Sequence, residues 1–163
     1  MEKKVIIVTG SVGSGKTTLA KKLALASKLV YLDVNLIINK HPSVVEGYDE
    51  KRQTKEINTA KLNKILIKEI KQLKKGVVID SHLSHYLPKK YVNLCIVCKC
   101  TLKELKKRLL KRKYSALKIK ENLQAEVLDV CFIDALEMGH NLKIIYTDKG
   151  FDRQFKELVK QLN

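Results

Sequence analysis

A lysine and two threonines, Lys16-Thr17-Thr18, follow directly on Gly10-Ser11-Val12-Gly13-Ser14-Gly15. The run fits G-x-x-x-x-G-K-[ST], preceded by the apolar Val5-Ile6-Ile7-Val8 and followed by an amphipathic Leu19-Ala20-Lys21-Lys22-Leu23. Such a glycine-rich turn aims successive backbone N–H groups inward, and the helix after it adds its positive end, so a polyphosphate is gripped by main chain first. Lys16 is then placed for the β and γ phosphates and Thr17 for magnesium. A ligand-free glycine turn is the plain alternative, and the match at every fixed position argues against it.

A second group of reactive residues follows Val77-Val78-Ile79, which ends in Asp80. A carboxylate closing an apolar strand in this setting orients magnesium, directly or through water, whereas elsewhere it would cap a turn. His82, two residues on, falls near the γ phosphate and can position a water or an incoming phosphate oxygen. His85 is expected to face solvent. A third group, Lys107, Arg108, Lys111 and Arg112, closes a predicted helix. Arg112, then Arg108, is the candidate to neutralise charge on transferring phosphates, although cations also complement a helix C-terminus.

The elements that must position these residues alternate between strand and helix. A helix is expected to Ser27, then a strand Leu29–Leu32, a short helix from Asp33 broken at His41-Pro42, and a mobile loop from Gly47 to Thr54. Asn58 caps a long helix ending at Lys74-Lys75-Gly76, and Leu94–Cys98 is the fourth strand. Thr101–Lys111 is helical, and Ser115 caps one further helix running to Gly139. Leu142–Tyr146 and Phe151–Leu162 close the chain as strand and helix. This alternation predicts an α/β fold, a parallel sheet covered on both faces with ligands at the strands' carboxyl ends.

Composition bounds the rest. The 163 residues, 45% of them hydrophobic, suit one domain with one sizeable core. No stretch is long and apolar enough to span a bilayer and no leader precedes the first strand, so a cytoplasmic protein is expected. Cys98 and Cys100 would share a strand face and Cys95 the other, poor geometry for a metal and apt for buried thiols. A charge of +16, carried by 29 lysines and 4 arginines, attracts polyanions such as nucleotides or RNA, or is simply a solvated surface.

Taken together, the phosphate loop, Gly47-Tyr48-Asp49-Glu50, Gly76–Asp80 with His82 and Pro88, and Arg112-Lys113-Tyr114 leading to Glu121–Glu126 resemble the adenylate kinase isoenzyme six family. The resemblance implies a P-loop NTPase three-layer sandwich of nucleoside monophosphate kinase type, its five parallel strands ordered 2-3-1-4-5. It implies ATP and magnesium over Gly13, Gly15, Lys16, Thr17 and Thr18, with Asp80 and His82 beside the γ phosphate, Arg112 on ATP and Lys149 near the adenine. The monophosphate segment would be about 34–57 and a short lid about 111–121. It further implies adenylate kinase activity, ATP hydrolysis, and small-subunit rRNA maturation with a ribosomal protein and pre-ribosomal RNA as partners. Asn35, Asn39 and Lys40 stand where the family often has an aspartate and an arginine, and Lys113 replaces a usual glycine. The competing expectations are an assembly ATPase with weak kinase activity and, less favoured for want of a general base, a kinase of sugar or acid hydroxyls.

Overall fold

The computed structural model describes residues 3–162. Its central sheet is parallel, built from β1 (Val5–Thr9), β2 (Val30–Asp33), β5 (Val77–Asp80), β6 (Leu94–Lys99) and β7 (Leu142–Tyr146), in the order β2-β5-β1-β6-β7. Counting only these strands along the chain, that is 2-3-1-4-5, as expected. Strand alternation splits the apolar runs into two cores. Val5, Ile7, Val77, Ile79, Cys95 and Val97 face α2 (Val34–Lys40), α3 (Thr59–Gln72) and Ala135 of α6 (Val130–Glu137). Ile6, Val8, Val78, Ile96, Cys98 and Ile145 face α1 (Lys16–Ala26) and Leu158 of α7 (Phe151–Leu162). Helices therefore cover both faces, three layers in all.

A third, small core lies above the carboxyl ends of the strands. Leu105 and Leu109 of α4 (Leu102–Lys111) pack with Ile119 of α5 (Ala116–Val127), Cys100, Val12 and Tyr114. It attaches the helical pair to the phosphate loop through Val12. Thr101 caps α4 and Ser115 caps α5, each hydroxyl accepting from a backbone N–H three residues on.

Four expectations are corrected. The segment read as a mobile loop is an antiparallel hairpin, β3 (Val45–Asp49) against β4 (Thr54–Ile57), with Asp49 opposite Thr54. Its turn is fixed by the Asp49 carboxylate, which accepts from Arg52 N at 2.9 Å. The single helix from Ser115 to Gly139 is two, because Asp129 takes a left-handed φ of 53° and breaks the ladder between α5 and α6. The helix capped by Asn58 stops at Gln72, not at Gly76. Gly76 answers a different need: a Cβ there would lie 2.4 Å from the Lys4 carbonyl, so the close approach of two backbones excludes a side chain. Last, His85 does not face solvent but is buried against Thr9.

Candidate functional site

The loop between β1 and α1 is shaped by contacts from the whole upper edge of the sheet. Gly10 has φ 138°, and a Cβ on it would meet the Cys98 carbonyl at 2.4 Å, so strand β6 passes too close for any other residue. Thr147, after β7, donates from Oγ1 to the Ser14 carbonyl at 2.6 Å and accepts from Arg108 Nη1 at 3.1 Å. Arg108 Nη1 also donates to the Gly13 carbonyl at 3.2 Å, while its Nε donates to Glu104 at 2.9 Å. Arg108 is thus committed to bracing the loop.

Lys16, at the start of α1, donates from Nζ to the Ser11 carbonyl at 2.9 Å. Burial lowers its pKa, opposed by nearby Cys98 and Asp80. Asp80 closes β5 opposite Val8 and Asp33 and is only 5% exposed. One of its oxygens accepts from the Tyr31 hydroxyl at 2.9 Å, and burial with the Asp80 charge raises the Tyr31 pKa well above the phenol range. Hydroxyl and carboxylate oxygens are hard donors that fit magnesium, so Thr17 and Asp80 suit a metal carried in with a nucleotide. Among the described residues, no three His, Cys, Asp or Glu are grouped to hold a metal by themselves.

His82 opens to solvent at the mouth of a recess, yet the surrounding protein and then Lys16, His85 and Lys118 hold its pKa down to about 4. A neutral imidazole beside a lysine is an acceptor. His85, three residues on, turns inward: its Nδ1 lies 2.8 Å from Thr9 Oγ1 and its Nε2 3.5 Å from Asp134. Asp134 accepts from the Tyr86 hydroxyl at 3.0 Å, and the His140 ring nitrogen Nε2 lies 2.8 Å from the His85 carbonyl. Burial lowers the His85 pKa, with Asp134 opposing. These contacts come from four separate elements and tie the strand before the phosphate loop to the loop after Asp80.

Two adjoining clefts meet at this loop. One, of about 590 Å³, is walled by Leu19, Lys22, Arg108, Thr147 and Phe151 beside Gly13, Gly15 and Thr18. The other, of about 380 Å³, gathers Lys16, Thr17, Asp80 and His82 with Asn35, Thr54, Tyr114 and Lys118. Arg112 lines both, and no hydrogen bond or ion pair among the described residues engages its guanidinium. An aromatic-edged cleft and a polar one sharing a phosphate-binding loop can hold two anionic ligands end to end. Lys149 is exposed and does not line either cleft; its carbonyl accepts from Gln154 at 2.5 Å.

Several site residues have no local signature. Arg52, at the hairpin tip, donates from Nε to both oxygens of Glu121 on α5, and Lys118 Nζ donates to the Gln53 carbonyl at 3.3 Å. Glu126, also on α5, accepts from Ser11 Oγ at 2.5 Å. One helix therefore joins the phosphate loop to the hairpin across the polar cleft. In the sequence these residues lie within the phosphate loop, the Gly47–Thr54 segment, the lid and Glu121–Glu126, but nothing local pairs them with one another.

Fold, phosphate loop and paired clefts define a nucleotide-binding protein of the P-loop kinase type. A profile described as "AAA domain" matches residues 6–129. A "Putative adenylate kinase" of Methanocaldococcus jannaschii is 33% identical over 157 residues, 96% of this chain and 85% of the relative. One of the same description from Pyrococcus furiosus is 37% identical over 161 residues, covering 98% and 84%. An adenylate kinase isoenzyme 6 homolog of Schizosaccharomyces pombe is 34% identical over 132 residues, covering 81% and 74%. The chain belongs to this adenylate kinase isoenzyme 6 family. Solved structures with the same fold include a sugar kinase from Janibacter, at TM-score 0.64 and 16% identity over 99% of this chain and 95% of that one. A Thermus thermophilus protein aligns over both full chains at TM-score 0.63 and 15% identity.

Proposed function

We propose that the protein is an adenylate kinase that moves the γ-phosphoryl group of ATP to AMP or another nucleoside monophosphate, and that it also hydrolyses ATP. The observation that carries this is the meeting of two clefts at one phosphate loop, with Arg112 on the border of both. A simple ATPase needs only the first.

In this reading the adenine and ribose of ATP occupy the cleft of Thr147 and Phe151, and the phosphates lie over Gly13, Gly15, Lys16, Thr17 and Thr18. Lys149, outside the cleft lining, would reach the adenine from the loop after β7. A phosphate oxygen of the monophosphate, held in the segment 34–57, attacks the γ phosphorus in line. A bond from that oxygen to phosphorus forms as the bond to the β-phosphate oxygen breaks, giving ADP and a diphosphate. The transition state is loose, with charge spread over the transferring oxygens, so catalysis is mostly positioning and charge stabilisation. Lys16 leaves the Ser11 carbonyl to take up that charge from one side, and Arg112, in the lid of about 111–121, takes it from the other. Thr17 and Asp80 would hold a magnesium ion entering with ATP, which would supply neutralisation of phosphate charge. Neutral His82 orients the attacking oxygen, or a water when the acceptor is absent.

The second reading, an assembly ATPase acting on a ribosomal protein or pre-ribosomal RNA in small-subunit maturation, is favoured by one feature of the acceptor side. Asn39 there is engaged by Lys55 at 3.2 Å, and Arg52, the arginine of the segment 34–57, is held by Asp49 and Glu121. The charge of +16 suits RNA. Both readings place the protein in the cytoplasm; among the described residues no helix is long and apolar enough to cross a membrane.

Turnover measured with each monophosphate and with none, in wild type and in His82→Gly, decides between them. Diphosphate formation above the hydrolysis rate is expected for AMP. Its absence for every monophosphate sinks the kinase reading, and hydrolysis stimulated by rRNA would establish the second.

A further inference from the structure

The outer face of the α4–α5 pair carries a groove of about 640 Å³, the side of these helices turned away from the catalytic clefts. Its floor and walls are largely apolar: Ala116, Ile119 and Leu123, with Leu110 at 56%, Val127 at 63% and Leu128 at 62% exposure, and Gln124 as the one uncharged polar side chain of the lining. Single exposed leucines are ordinary on a protein surface, whereas three large side chains around one concavity mark a surface built to be covered.

The charges around the groove narrow what covers it. Lys106 and Lys120 line it, and no acidic residue does. This follows from how the two helices are laid. Glu104, the acid of α4, is held by Arg108; Glu121 and Glu126, the acids of α5, point to Arg52 and Ser11. Each carboxylate is engaged away from the groove, leaving lysines as the only charged residues that line it. Dimensions match too, since helices of 10 and 12 residues make a trough about 15–18 Å long, three turns of a third helix.

We propose that this groove docks a partner protein through an amphipathic helix whose apolar face meets Leu110, Val127 and Leu128 and whose acidic flanks meet Lys106 and Lys120. Helix-in-groove binding reads anchors at i, i+3, i+4 and i+7.

The probe is a fluorescein-labelled peptide of about 14 residues with leucines at those spacings and glutamates elsewhere, compared with the same peptide carrying lysines for glutamates. Fluorescence anisotropy is expected to show saturable binding of the acidic peptide alone. Lys106→Glu with Lys120→Glu should weaken it at least about tenfold and let the lysine peptide bind, because rim charge sets partner choice. Reversal of Lys64 and Lys68, exposed on α3, lowers net charge equally and should leave binding in place. Val127→Asp should abolish it, with circular dichroism confirming the fold. Equal binding of both peptides, binding of neither, or an equal loss on reversing Lys64 and Lys68 overturns the proposal. So does a dimer in sedimentation that Val127→Asp disperses, which would assign the groove to a second copy.

Discussion

Arg52 and Glu121 face each other across the mouth of the polar cleft, the guanidinium Nε lying 3.0 and 3.2 Å from the two carboxylate oxygens. One residue belongs to the hairpin tip and the other to α5, so the pair ties together the two elements that flank this cleft. An exposed pair contributes little to stability and is screened by salt. Glu121→Gln should therefore leave the melting temperature nearly unchanged. The same variant should weaken the dependence of turnover on salt between low and physiological ionic strength, measured at saturating ATP. A large drop in melting temperature would show the contact to be structural instead.

The two arginines near the phosphate loop should separate cleanly. Arg112→Ala removes a cation that nothing in the described protein engages, and kcat should fall by about 10²–10³ with little loss of stability. Arg108→Ala leaves the Gly13 carbonyl and the Thr147 hydroxyl without their donor and should cost about 1–3 kcal/mol in urea unfolding. Steady-state kinetics and unfolding on both variants check this; a stable but inactive Arg108→Ala would exchange the two roles.

How much of this was legible from the sequence depends on whether a feature is local. The phosphate loop and Asp80 were readable because backbone curvature and strand ends demand particular residues at fixed spacing. The hairpin was not, since its strands are largely exposed and Tyr48 stays 58% accessible, leaving no apolar alternation to find. Asp129 hid the break between α5 and α6 by taking the left-handed conformation where a glycine would have announced it. His85 was misjudged because its neighbours Thr9, Asp134 and His140 come from distant parts of the chain. The same holds for Tyr31 on Asp80: such pairings exist only once the sheet is ordered.

Acid should expose the state of His82. Its folded pKa of about 4 lies below the ordinary 6.5, so between these values the unfolded chain holds a proton that the folded one does not. Stability contributed by the neutral ring is present above the ordinary value and is lost as pH falls towards 4. Urea midpoints of wild type should decline over that window more steeply than those of His82→Asn. Parallel curves would place the titration elsewhere.

Lys113 sits just past the end of α4 with φ 56°, the position where helices commonly end in glycine. Lys113→Gly should raise stability by up to about 1 kcal/mol, the left-handed strain of a side chain offset by the freedom glycine gains when unfolded. Thermal unfolding tests the sign, and a lower melting temperature refutes it.

The place of β1 at the centre of the sheet governs when this protein becomes competent during synthesis. Val5 emerges first but must wait for Val77, and Gly10 acquires its ceiling only when Cys98 arrives. A nascent chain short of Lys99 thus carries the full phosphate-loop sequence without the architecture that shapes it. A nucleotide that bound the finished loop and not the unfinished one would then act as a checkpoint on maturation, drawing the late strands into place by mass action.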